Sequence, residues 1–93
     1  MIHERTINIL KRISFDFFKI IDIDDTADSV IIIIVENVIT NQDYTVPFSY
    51  NMLKLWYEQN ILKYDMLREY ILSNISQDYY TIKEDTDGWE KNT

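Results

Sequence analysis

The residues of this chain best placed to do chemistry are carboxylates, and the densest group is Asp22, Asp24, Asp25 and Asp28. Carboxylates this close first raise the question of a calcium loop. With Asp22 as the first ligand, Ala27 falls where the sharp turn needs glycine, and Ile33 falls where a bidentate glutamate must sit. The EF-hand pattern therefore fails. Hydrolysis by paired carboxylates needs a cleft that shifts pKa values and excludes water. No E-x-K or H-x-H arrangement anchors such a site. The single glycine, Gly88, leaves no Gly-rich phosphate loop. There is no cysteine, and the one histidine, His3, sits near the amino terminus with no orienting partner in sequence, so no nucleophilic triad can be built. The chain reads as a non-enzyme without metal or other cofactor.

What carboxylates can do without catalysis is bind. The chain has 16 acidic and 9 basic residues, a net charge of −7. Phosphate contacts need Lys and Arg, so direct nucleic-acid binding is disfavoured and a basic partner is favoured. A charge of this size is also ordinary for a soluble small domain. Residues two apart on a strand share a face and lie roughly 6.6 Å apart. Asp22 and Asp24 on a strand would thus be spaced like neighbouring phosphates, and such a surface could occupy a basic groove meant for DNA or RNA. Tyr, Trp and Met are enriched at interfaces, and Tyr44, Tyr64, Tyr79 and Tyr80 fall near turns or element ends.

The elements that must hold these residues are legible in outline. Val30 to Val35, VIIIIV, is an unbroken β-branched run. It favours the pleated backbone and is too short to span a membrane. Its lack of alternation predicts a central strand covered on both faces, by a first helix on one side and a helix pair on the other, or by a second copy docking on one sheet face. Asp28 and Glu36 flank it as charged gatekeepers. Ile2, Thr6, Ile9, Ile13 and Phe17 recur at helical spacing and predict a helix over about 2–15. Residues 17–24 read as a strand with Phe18, Ile20 and Asp22 on one face and Phe17, Lys19, Ile21 and Ile23 on the other. Asp24 to Ser29 is a polar turn. The central strand runs from Val30 toward Ile39, and 40–43 is a second turn. Tyr44 to Phe48 is a third strand, placed at an edge by Pro47, which cannot donate to a ladder. Short connections imply an antiparallel meander.

Ser49 is a good N-cap for a helix from Tyr50, with Met52, Leu53, Trp56 and Tyr57 as its apolar stripe and Asn60 as its stop. A further helix runs to about Asn74, or the two are one. Tyr79 to Lys83 has the composition of a short final strand. The chain is one domain, 1–93, with an acidic frayed tail over 84–93 that carries Trp89. The fold class is α+β: a helix, a three-stranded antiparallel sheet, then two helices. With no cysteine framework, signal-peptide core or membrane span, the chain fits the cytosol.

The stretches INILKRI, VIIIIVENVITNQDYTVPFS, NMLKLWYEQN and YDMLREYI, in this order and in so small and acidic a chain, give a layout that resembles the small phage-encoded type II-A anti-CRISPR proteins that mimic DNA. The resemblance covers most of the chain in layout and rests on no diagnostic motif. It implies a cytoplasmic inhibitor of a host nuclease. Acidic residues of the hairpin and the last helix would face the Cas9 groove that recognises the PAM. The matching positions are Glu36, Asn37, Asp43, Asp65 and Glu69, to which Asp22 and Asp24 add by spacing. The hairpin turn lacks the glycine of that pattern, and Lys63 and Arg68 interrupt the acidic helical face. An immunity protein or antitoxin against a cognate toxin, or a plain interaction module, fits the same composition.

Overall fold

β-Branching decides the centre of the fold. The computed structural model describes residues 2–75. Its elements are α1 (Ile2–Leu10), β1 (Phe18–Asp24), β2 (Val30–Asn37), β3 (Asp43–Ser49) and α2 (Tyr50–Glu58), followed by a third helix, α3, over 64–75. The sheet is an antiparallel meander of order β1-β2-β3, with the β-branched run at its centre. The expected α+β architecture is present.

The expectation that helices cover both faces of β2 is corrected among the described residues. Ile31, Ile33 and Val35 are fully buried, while Val30, Ile32 and Ile34 between them are only half-buried. All three helices pack on the first face. Ile9 and Leu10 of α1, Leu53 and Trp56 of α2, and Leu67, Ile71 and Ile75 of α3 join Ile31, Ile33, Val35, Val46 and Phe48 in one core. The placement of α1 and the helix pair on opposite sides is corrected with it. The described residues form two layers, with one face of the sheet open among them.

α1 is shorter than its apolar periodicity. It ends at Leu10, where the Arg12 N–H turns to the Ile9 carbonyl (2.9 Å) and the Ile13 N–H to that of Leu10 (3.3 Å), the tighter pairing of a frayed last turn. Thr6, fully buried, donates its hydroxyl to the Ile2 carbonyl at 2.7 Å, so its polar atom is satisfied within the helix. The segment after α1 is held by α3. Arg68 lies 5.3 Å from the Phe15 ring centroid, and its Nε donates to the Ser14 carbonyl at 3.4 Å.

Helix boundaries in the second half follow cap chemistry. Ser49 Oγ accepts the Met52 N–H at 3.2 Å, the N-cap expected from its residue type. At the other end Asn60 adopts φ 60. The Ile61 N–H reaches the Trp56 carbonyl (2.8 Å) and the Asn60 N–H that of Tyr57 (3.0 Å). This is a Schellman stop with asparagine in the left-handed position usually given to glycine, and it makes α2 and α3 separate helices. Tyr70 of α3 then ties the layers together. Its ring packs 4.9 Å from Phe48 and 5.5 Å from Trp56, and its hydroxyl donates to the Pro47 carbonyl at 2.7 Å. Pro47 lies in an edge strand, as expected. Tyr57, assigned to the apolar stripe, is exposed. The strand expected at Tyr79–Lys83, the tail over 84–93 and Trp89 lie outside the described residues. Among the described residues no helix is long and apolar enough to cross a membrane.

Candidate functional site: the open face of the sheet

The register decides which carboxylates meet. On β2 the open face carries Val30, Ile32, Ile34 and Glu36. Opposite them on β3 stand Ser49, Pro47, Thr45 and Asp43. On β1 simple alternation would send Asp22 into the helix layer with Phe18 and Ile20. The structure corrects this. A register shift between Ile20 and Asp22 makes Ile21 an extra, unpaired residue. Such a bulge inverts the side-chain parity beyond it. Ile20 faces Val35 and Ile23 faces Ile33, both on the core side, whereas Lys19, Asp22 and Asp24 face Glu36, Ile34 and Ile32 on the open side. The bulge therefore puts Asp22 and Asp24 on the same face as Glu36 and Asp43.

The result is a half-buried aliphatic strip, Val30, Ile32 and Ile34, with carboxylates along its β1 flank and at its hairpin end. At its hairpin end Lys19, Glu36 and Asp43 form one row across the three strands. Glu36 and Asp43 are direct cross-strand partners, and like charges so placed destabilise a sheet. Lys19 on the other side of Glu36 compensates in part.

Asn37 has another role. Its Oδ1 accepts the N–H groups of Ile39 (2.9 Å) and Thr40 (3.2 Å), and its carbonyl accepts the Asn41 N–H (2.7 Å). It builds the β2–β3 turn, in which Asn41 takes the positive φ (63) that a glycine would otherwise supply. Asp65 and Glu69 are exposed on α3, in the helix layer on the far side of the sheet. The seven candidate positions thus divide. Asp22, Asp24, Glu36 and Asp43 share one face, Asn37 shapes the adjoining turn, and Asp65 and Glu69 belong to a different surface.

Asp24 also closes the β1–β2 turn. Its Oδ1 accepts the Thr26 hydroxyl at 2.7 Å and the Thr26 N–H at 3.0 Å. These two bonds, the hydroxyl first, hold the Asp24 carboxyl below its ordinary value of 3.8. Because the folded value is lowered, the stabilisation is present above 3.8 and is lost as pH falls through the lower folded value. An NMR titration should place the Asp24 midpoint below 3.8, and Thr26→Val should move it back toward that value. An unchanged midpoint in the variant would remove the hydroxyl from the explanation.

Two features had no signal in composition. Phe17 (55% exposed), Val38 (48%) and Ile39 (68%) form an apolar patch at the hairpin end of the sheet, where the Val38 N–H bonds the Phe17 carbonyl at 3.0 Å. β2 was expected to continue toward Ile39, but it stops at Asn37 because the Asn37 side chain captures the next amides. His3 stacks edge-on against Tyr50 at 5.7 Å, and its buried Nε2 has no hydrogen-bond partner among the described residues. Of the tyrosines marked for an interface, Tyr44 is buried against Phe18, and Tyr64 is exposed with its hydroxyl accepting the Ser14 N–H at 3.4 Å. Tyr79 and Tyr80 lie outside the described residues. Among the described residues no three of His, Cys, Asp and Glu are gathered to hold a metal ion. Comparison with protein-family models, curated proteins and solved structures found no match.

Proposed function

We propose that this chain is a small acidic inhibitor of a nucleic-acid-processing defence enzyme, of the anti-CRISPR or anti-restriction kind, which occupies a basic nucleic-acid groove in place of DNA or RNA. The observation that supports this reading is the gathering of Asp22, Asp24, Glu36 and Asp43 on the one face of the sheet left open by the helices. Strands hold these carboxylates at fixed spacing, about 6.6 Å between Asp22 and Asp24. A rigid row of charge loses little entropy on binding, steers encounter and makes association salt-sensitive. The partner is then a host protein with a basic nucleic-acid surface, a Cas nuclease among the candidates, met in the host cytosol.

Affinity capture from host lysate on the immobilised chain, read by mass spectrometry at low and high salt, tests this. A nucleic-acid enzyme retained at low salt and released at high salt is the expected result. A partner held equally at both salts would overturn it. That outcome would favour a toxin-neutralising immunity protein or antitoxin, or an interaction module, using the exposed Phe17, Val38 and Ile39, because apolar contacts do not weaken with salt.

A further inference from the structure

Among the described residues the sheet has two free edges, and they are not equivalent. β3 carries Pro47 in its middle, which offers no N–H and blocks a further strand. β1 has no proline and pairs only with β2 among the described residues. Its outer row of N–H and C=O groups is therefore without a strand partner among these residues. Beside that edge lies a groove of about 500 Å³, bounded on one side by the segment from Leu10 to Phe15, including Lys11 and Ser14, and on the other by β1 from Phe18 to Ile23, so that apolar and polar groups share its walls. Consecutive β1 residues of both parities line it, so it follows the strand's edge instead of crossing one face. Its far wall is fixed, because Arg68 covers Phe15 and bonds the Ser14 carbonyl.

We infer that the β1 edge is a docking site for an extended segment of a partner protein in which apolar and basic residues alternate. Such a segment would add as a fourth strand. Main-chain bonds to β1 supply affinity, and alternate side chains point to opposite faces. One set, the apolar one, covers the groove beside Leu10, Ile13 and Phe15, where Lys11 disfavours a basic residue. The other set lies on the open face beside Asp22 and Asp24, where positive charge is complementary. Lys19 shares that face and sets the register by repelling a basic residue beside it. A second copy of this chain is a poor occupant, since pairing β1 with β1 would bring Asp22 and Asp24 of both copies together on chains of charge −7. This docking does not depend on the acidic face entering a nucleic-acid groove.

The probe is a blocked, fluorescent peptide alternating Val and Lys over roughly the length of β1, bound to the full chain. Exchange of those amides between Lys19 and Asp24 that point away from β2 should slow on the order of tenfold at saturation, with the β3 edge unchanged. Methylating the backbone nitrogens of one residue set, all Val or all Lys, should weaken binding at least about tenfold, while methylating the other set should not, because only one set faces β1. A peptide with all Lys at one end and all Val at the other should bind at least about tenfold more weakly. Equal binding of that block peptide, or indifference to both methylation patterns, would reduce the effect to charge and overturn the inference. Protection, in the free chain, of the β1 amides that point away from β2 would also overturn it. Loss of that protection on dilution would give the edge to a second copy, and loss in Ile82→Pro would give it to residues 79–83 of the same chain.

Discussion

Ile33→Thr lowers the stability of this domain by about 2–4 kcal/mol, and Ile32→Thr, one residue away, lowers it by no more than about 1 kcal/mol. Threonine keeps the β-branch, so strand propensity is nearly constant in both variants. What differs is the face. Ile33 is fully buried between Ile23 and Val46 in the register. There the substitution removes buried carbon and places a hydroxyl among hydrocarbons that offer no partner. Ile32 is half-buried between Asp24 and Pro47, where water reaches a hydroxyl. A domain of this size shifts its melting temperature by about 4–8 °C per kcal/mol. Ile33→Thr should therefore melt about 10–25 °C lower, and Ile32→Thr only a few degrees lower, in thermal unfolding followed by circular dichroism. Equal large losses would mean that the second face of β2 is covered after all, by a second copy or by residues beyond 75.

The same pair of positions shows where reading the chain reached its limit. Val30 to Val35 declared a central strand because every residue is β-branched or aliphatic. That uniformity also hid which face is buried, since both parities look alike. The answer was in β3, where Tyr44, Val46 and Phe48 alternate with Thr45, Pro47 and Ser49, the pattern of a strand with one wet face. The Asp22 and Asp24 placement was legible only through a local irregularity. Consecutive Ile20 and Ile21 followed by Asp22, Ile23 and Asp24 break the period of two once, and one extra residue repairs it. Caps were readable from residue type alone, as Ser49 and Asn60 show, because their side chains act on neighbouring backbone. The separation of Asp65 and Glu69 from the hairpin carboxylates was not readable, because it depends on which face of the sheet the helices choose.

Neutralising Asp22, Glu36 and Asp43 together, as Asp22→Asn, Glu36→Gln and Asp43→Asn, should weaken binding to the partner captured at low salt by about 10- to 100-fold and flatten its salt dependence. Each exposed charge contributes on the order of 0.5–1 kcal/mol to a complementary contact, and 1.4 kcal/mol is tenfold in affinity. Stability should not fall with it. Glu36 and Asp43 stand directly opposite each other, and like charges so placed cost about 0.2–1 kcal/mol. Relieving that pair while losing the Lys19–Glu36 attraction should leave the melting temperature within a few degrees of the parent at low salt. Asp65→Asn with Glu69→Gln is the control, since both lie in the helix layer behind the sheet. This pair should change affinity less than about twofold, the effect expected of a distant charge beyond the Debye length. A surface kept acidic only for solubility would lose no affinity in either variant. A partner that grips the helix layer would reverse the two results and move the site from the open sheet face to α3. Only a loss confined to the triple variant, with the fold unharmed or stiffer, assigns the carboxylates of the sheet to binding. Asp24 is left unaltered in the set because its carboxylate also closes the turn through Thr26, and its removal would mix a structural loss with an electrostatic one.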